Sequence, residues 1–297
     1  MNKAINMKTI KFLLLIVICA WTNFVSAQID TAFWLGAPWV TIGHADNVPI
    51  KLHLSSLDQP TQVRIYQPAN SYDTSFVMNA NSLKSVNLSH LVATLEAKPA
   101  NTTLNYGLKI ETNHNITAVY EVSSTRNNPE TYSLKGQNGL GLEFVTPFQT
   151  RWNNNSTFSP APKQLFTVTA TQDNTIVWIN PRCAVVGHPA GVSYSITLNK
   201  GQVYTVENVV SNTSVAGNNL SGSIVTANKP VSVLVSDDSV HNFPGGGCSD
   251  LMGDQLVPVD VVGTEYIVNK GSMTETSTEG IFIVATENFT RVTIENG

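Results

Sequence analysis

Between Ser236 and Gln255 the chain carries four aspartates, Asp237, Asp238, Asp250 and Asp254, together with His241, in a glycine-rich stretch that reads as a long loop. Clustered carboxylate oxygens are what Ca²⁺ takes as ligands. The four aspartates are therefore the candidate metal ligands. Their spacing departs from the EF-hand pattern, and Asp side chains also cap turns in solvated loops. The expected cofactor is thus none, with Ca²⁺ the one candidate. The same four aspartates and His241 are the candidate binding residues, because long connections on a rigid frame are where partners are met.

Cys183 and Cys248 stand 65 residues apart. In an oxidising compartment an even pair reads as a disulfide. Closing that loop would stabilise the fold by about 4 kcal/mol on the chain-entropy account. Two buried free thiols are the alternative. No Gly-x-Ser-x-Gly elbow, His-Glu-x-x-His pair, phosphate loop or dinucleotide fingerprint occurs. The histidines are scattered. Glu143 and Glu265 recur at matching strand starts, which argues for structure rather than acid–base work. No catalytic residue is assigned, and the expectation is a protein that is not an enzyme. Trp34, Trp39 and Trp152 could stack on sugars or anchor a partner. Packing between neighbouring modules is the preferred reading of them.

The elements around these residues repeat. An aromatic strand start recurs at Ala32–Leu35, Glu143–Val145 and Glu265–Ile267. A short alternating strand recurs at Thr61–Ile65, Thr175–Ile179 and Thr290–Ile294. Thr61 and Thr175 are 114 residues apart, and Thr175 and Thr290 are 115 apart. A hairpin is expected twice, from Leu108–Thr112 into Ile116–Tyr120 and from Ser223–Thr226 into Val231–Leu234. Ala227-Asn228-Lys229-Pro230 is its second turn, and Asn199-Lys200-Gly201 is read as a further hairpin loop. Period-two alternation marks strands with one buried face, and only Ser82–Glu96 offers a helical alternative. The fold class is all-β, with tandem β-sandwich-like units of about 115 residues. A β-propeller with two blades per unit is the alternative. The expected units are 28–140, 141–262, and the start of a third, truncated at 263–297.

Residues 1–27 read as a signal peptide, with Lys3, Lys8 and Lys11 before a short apolar run and Val25-Ser26-Ala27 at the cut. Its style is that of a bacterial leader of the Bacteroidetes kind. On that reading the eight Asn-x-Ser/Thr triplets reflect composition, not glycan acceptors. The formal charge of −4 becomes −7 once the three leader lysines are removed. No basic stripe marks a nucleic-acid surface. No apolar run in the mature segment is long enough to span a bilayer.

Cys248-Ser249-Asp250-Leu251-Met252-Gly253-Asp254-Gln255-Leu256-Val257-Pro258-Val259, followed by Gly263-Thr264-Glu265-Tyr266, resembles the IgGFc-binding protein N-terminal domain. That family's phrase is close to Cys-Asp-His-Leu-x-Glu-Gln-Leu-Pro-Pro-Val, then Gly-x-Glu-Tyr/Phe. Here Ser-Asp stands for Asp-His, Asp254 for the Glu and Val257 for the first Pro. Ile224–Val231 and Phe33-Trp34-Leu35-Gly36 also look like that family. The resemblance implies a secreted or cell-surface, non-catalytic adhesion module, the N-terminal part of a larger protein. Its partner would be an extracellular protein or glycan. The alternatives are a stalk, or the non-catalytic region of a secreted carbohydrate-active or proteolytic enzyme. No Fc-contact residue is carried over.

Overall fold

The computed structural model describes residues 28–41, 48–123, 129–241, 249–269 and 280–295. The signal peptide expected at residues 1–27 lies outside the described residues. The fold is all-β and sandwich-like, in two large antiparallel sheets. The first holds β1 (Asp30–Leu35), β2 (Ile50–Ser56), β3 (Thr61–Tyr66), β4 (Asp73–Met78), β5 (Leu83–Asn87), β7 (Leu108–Val122) and β8 (Glu130–Ser133). The second holds β6 (Thr103–Leu104), β9 (Leu140–Val145), β10 (Gln164–Ala170), β11 (Thr175–Asn180), β12 (Tyr194–Leu198), β13 (Val203–Glu207), β14 (Ile224–His241) and β15 (Ser249–Gln255). Of the stretch with a helical alternative, Leu83–Asn87 is strand and Ser89–Leu95 a short helical turn.

Each sheet is organised by one long strand. The first half of β7 pairs with β1 and β3, so Ile110 lies between Phe33 and Ile65. Its second half pairs with β2 and β8, so Tyr120 lies between Leu52 and Tyr132. All six side chains are buried in one cluster. β7 thus runs through two four-stranded layers, β4-β3-β7-β1 and β5-β2-β7-β8, that share a core. β14 does the same. Val225 lies between Phe144 of β9 and Ile179 of β11, and Val235 lies between Phe166 of β10 and Asp254 of β15. The apolar residues among these belong to a second core cluster. Alternation explains the choice of face: in β3, Thr61, Val63 and Ile65 point inward while Gln62 and Arg64 face water. Each aliphatic side chain so buried contributes about 1.5–3 kcal/mol.

The two expected hairpins are single strands. A hairpin needs its arms to pair with each other. Here each arm already has neighbours on both edges, so the chain bends and continues. In β14 the bend falls at Pro230, whose missing N–H costs least where the β9 register shifts between Thr226 and Val231. The turn at Asn199–Gly201 likewise joins two layers, since β12 pairs with β11 and β13 with β10. The sheets contain seven and eight strands, not the four-stranded blades of a propeller.

The sheets are joined by the segment before β7. β6 lies against β13 as an edge strand of the second sheet. Asn101 N–H donates to Thr205 O at 2.9 Å, Thr205 Oγ1 donates to Ala97 O at 2.8 Å, and Gly107 N–H donates to Gly201 O at 3.0 Å. Gly107 has no room for a side chain: a Cβ there would sit 2.7 Å from Gly201 O. Trp39 Nε1 donates to Glu207 Oε2 at 2.9 Å, and Trp34 is buried. Trp34 is thus enclosed by protein, and Trp39 is held to the second sheet by its hydrogen bond.

The Ser236–Gln255 stretch is not a structureless loop. β14 continues to His241 and β15 returns from Ser249 against it. Residues 242–248 lie outside the described residues. The strands expected at Glu265–Ile267 and Thr290–Ile294 carry no ladder partner among the described residues, and their apolar side chains are exposed.

Candidate functional site

The two halves of the expected aspartate cluster face opposite environments. Asp237 and Asp238 are buried, whereas Asp250 and Asp254 are exposed on one face of β15. A register shift between Asp237 and Val240 interrupts the pleat, which is why two successive aspartates both turn inward. Asp254 pairs with Lys135 Nζ at 2.6 Å. Asp238 Oδ2 accepts the Thr41 N–H at 2.7 Å, a bond between the segment after β1 and the second sheet. Among the described residues no group of three or more His, Cys, Asp or Glu side chains is placed to hold a metal. The four aspartates are not brought together as Ca²⁺ ligands, and Asp237 and Asp238 present no oxygen to a partner.

Asp237 instead anchors a connection. Its carboxylate accepts Asn154 Nδ2 at 2.6 Å, Gln164 Nε2 at 2.9 Å and Gln149 Nε2 at 3.0 Å. All three amides are buried. Burial pushes the Asp237 carboxyl up to about 6; the three amide donors pull the other way and Asp238 adds to the rise. The amides are tied on in turn. Gln149 Oε1 accepts the Arg151 and Trp152 N–H groups, and Gln164 Oε1 accepts that of Leu220. Asn154 Nδ2 also reaches Asp238 O at 2.6 Å. Asn155 N–H donates to Ser239 O and His241 N–H to Asn153 O, so residues 153–155 run alongside the end of β14.

Above this clamp lies an open groove of about 380 Å³, lined by Arg151–Thr157 and His241. Trp152 is half-buried at its edge, with the Arg151 guanidinium carbon 5.0 Å from its ring centre and Phe282 edge-on at 6.2 Å. Asn153 Oδ1 accepts the N–H and hydroxyl of Ser214, and Asn155 Oδ1 accepts those of Thr157. An aromatic face, a guanidinium and amide and imidazole edges together suit a ring to be stacked and polar groups to be bonded. Of the sequence candidates, His241 and Trp152 meet here. Gln149, Arg151, Asn154 and Gln164 had no pattern to mark them beyond the Asn153–Asn155 run.

Cys183 is buried in the second core, and burial pushes its thiol up to about 11. Cys248 lies outside the described residues. Glu143 is exposed on β9, and Glu265 is exposed in the C-terminal segment.

No described helix is long and apolar enough to cross a membrane. Neither a curated protein nor a solved structure matches the chain. The family model described as IgGFc binding protein matches residues 130–297, more than half of the sequence, and takes in the whole groove, the Asp237 clamp and the phrase around Asp250 to Gln255. The chain belongs to the IgGFc-binding protein family, a family of binding domains.

Proposed function

We propose that this chain is a non-catalytic binding module of a secreted or cell-surface adhesive protein, exported by the leader at residues 1–27. Its ligand is an extracellular protein or glycan. Two copies of one unit, 28–140 and 141–262, supply the scaffold, and a third begins at 263. The likeness of strand order in the two sheets supports the copies: β1 to β5, β7 and β8 hold the places of β9 to β13, β14 and β15.

The observation that carries the binding reading is the groove at Trp152, Arg151 and His241, held over a buried clamp within the family-matched region. The ring is half-buried and the floor is pinned by the amide bonds to Asp237, an arrangement that lowers the ordering cost of contact. Its chemistry suits a sugar bearing a carboxylate or an aromatic-acidic protein loop.

The test is a glycan and protein array probed with the purified chain and with Trp152→Ala and Arg151→Gln variants. Ligands of the native chain should bind both variants at least about tenfold more weakly, a loss of about 1.4 kcal/mol. The variants should keep the native melting temperature. Undiminished binding by both sinks the groove as the site.

A stalk role is the second reading. The β6 strand of the first unit, laid on β13 of the second, supports it by making a stiff joint.

A further inference from the structure

A second open groove, of about 320 Å³, adjoins the first along the chain: Thr150 lines it, while Arg151, Trp152 and Asn153 line the groove already described. Ser214 also lines the second groove, and it donates its N–H at 2.9 Å and its hydroxyl at 2.7 Å to Asn153 Oδ1 in the first. The wall between them is held from behind. Thr213 is buried and donates its hydroxyl to Trp152 O at 3.0 Å, and the Asn154 N–H donates to Ser211 O at 2.9 Å. The two grooves therefore share one fixed wall.

The second groove has its own chemistry. Arg182 lies in it beside the hydroxyls of Thr150, Ser214 and Ser221 and the amide of Asn219. The backbone of Arg182 is pinned on both sides. β11 ends at Asn180, paired with Ile224 of β14; the Arg182 N–H donates to Ser223 Oγ at 3.0 Å, and the next residue, Cys183, is buried in the second core. The arginine side chain is left exposed, and among the described residues it has no carboxylate partner. Other cations of the chain do have one: Arg64 pairs with Asp73, Lys98 with Glu96, Lys109 with Glu111 and Lys135 with Asp254. Carboxylates are not scarce, since 21 Asp and Glu stand against 17 Lys and Arg. Yet no Asp or Glu lines either groove, whereas Arg151, Arg182 and His241 do. Remote acids are screened beyond about 8 Å at physiological salt, so an anion in these grooves meets the guanidinium groups first.

We infer that Arg182 marks a second subsite, which takes the anionic group, a carboxylate or a sulfate ester, of an acidic oligosaccharide whose neighbouring sugar lies on Trp152. The inference deepens the binding reading above and rests on it. A guanidinium presents a planar fork of N–H donors that meets either anion with two hydrogen bonds. Further donors stand beside it. Ser221 Oγ accepts the Phe148 N–H at 3.4 Å and keeps its own hydrogen, and Asn219 Nδ2 makes only a long bond, 3.4 Å, to Thr213 O. A cation alone would suit any anion; the hydroxyls and amides along both grooves suit the sugars that carry it, and the Trp152 ring suits a sugar face. The same lining favours an oligosaccharide over an acidic protein loop. Two modest contacts on one wall act together: once a sugar is stacked, its neighbour's anion meets Arg182 at a raised effective concentration.

The test titrates the full chain with hexasaccharides of three kinds in a calorimeter: hyaluronan, with carboxylates alone; chondroitin sulfate, with both anions; and the neutral N-acetylglucosamine oligomer. The acidic sugars should bind, and Arg182→Gln should weaken them at least about tenfold. Loss on both names the carboxylate as the recognised group, and loss on the sulfated one alone names the sulfate. Arg182→Lys keeps the charge without the fork and should fall between. Arg64→Gln removes the same charge from the first sheet and should leave binding unchanged. The neutral oligomer should bind more weakly and respond to Trp152→Ala but not to Arg182→Gln. Arg182 is exposed, so its variants should keep the native melting temperature. The proposal is overturned if no acidic hexasaccharide binds, or if Arg182→Gln weakens binding no more than Arg64→Gln does. Sodium sulfate alone binding as tightly as the chondroitin sulfate probe overturns it too, and so does an acidic tyrosine-containing peptide that binds where no sugar does. Loss of binding with Trp152→Ala but not with Arg182→Gln removes this subsite and leaves the groove reading standing. Undiminished binding in both Trp152→Ala and Arg151→Gln removes both.

Discussion

Asn113 and Asn228 do the same work at the bends of the two long strands. Asn113 Oδ1 accepts the N–H of Gln62 at 2.7 Å, and Asn228 Oδ1 accepts the N–H of Ile176 at 2.8 Å. Each bond ties the bend to the first turn of the neighbouring strand, where the ladder has not yet begun. Asn113→Ala and Asn228→Ala should each lower stability by about 0.5–1.5 kcal/mol, the net worth of one hydrogen bond. Urea denaturation of the single variants checks this. A neutral result at both sites would mean that water replaces the side chain at no cost.

Asp237 should make stability fall as pH rises through the weakly acidic range. Burial raises its folded carboxyl from 3.8 to about 6. The folded state therefore holds the proton more tightly than the unfolded state. The contribution is complete below about pH 4 and is lost as pH passes about 6; its full span is about 3 kcal/mol. Asp237→Asn lacks this slope. The native chain's advantage over that variant should shrink between pH 4 and pH 7 in denaturation curves. An advantage that grows with pH contradicts the buried-acid account.

The four aspartates should separate into two classes. Asp250→Asn with Asp254→Asn changes exposed side chains and one surface ion pair, and Asn keeps an oxygen for the Gln255 N–H that Asp254 accepts, an effect of about 0–1 kcal/mol. Asp238→Asn puts an amide into a buried position that accepts the Thr41 N–H, and Asp237→Asn faces three amide donors with one acceptor fewer. Each should cost about 1–3 kcal/mol or more at neutral pH. Thermal unfolding of the Asp250→Asn/Asp254→Asn double variant beside each of the two inward single variants distinguishes them. Equal melting temperatures would show that the inward pair is not confined.

Gly107→Ala should loosen the joint between the sheets. The added methyl group meets Gly201 O, a backbone atom that cannot swing aside. The expected loss is about 1–3 kcal/mol, read as a lower melting temperature with faster amide exchange at 101–107 and 199–205. An unchanged exchange pattern would show that the joint absorbs a methyl group.

Cys183 should resist alkylation in the folded chain, since its thiol is buried and pushed up to about 11. We further propose that it pairs with Cys248 in the exported protein. Peptide mapping without reduction should then find one linked pair. Two alkylatable thiols after unfolding without reductant would exclude the bridge.

The β class, the inward and outward faces of β2, β3 and β11, and the recurrence of Thr61, Thr175 and Thr290 can all be read from residue order. Each is a local property: a period of two sets which face a side chain takes, whatever pairs with it. The partner of a strand is not local. Leu108–Thr112 and Ile116–Tyr120 have the pattern of a hairpin, and become one strand only because β1, β3, β2 and β8 occupy every edge. The aspartates show the same limit. Nothing near Asp237 in sequence says that it is buried. That is decided by Gln149, Asn154 and Gln164, 73 to 88 residues away along the chain, whose amides replace the water a carboxylate loses on burial. Sequence alone determined the alternation that marks the strands; the tertiary structure decided which of them meet, and thereby which polar side chains build the interior, as Asp237 and Asp238 do, and which stay exposed, as Asp250 and Asp254 do.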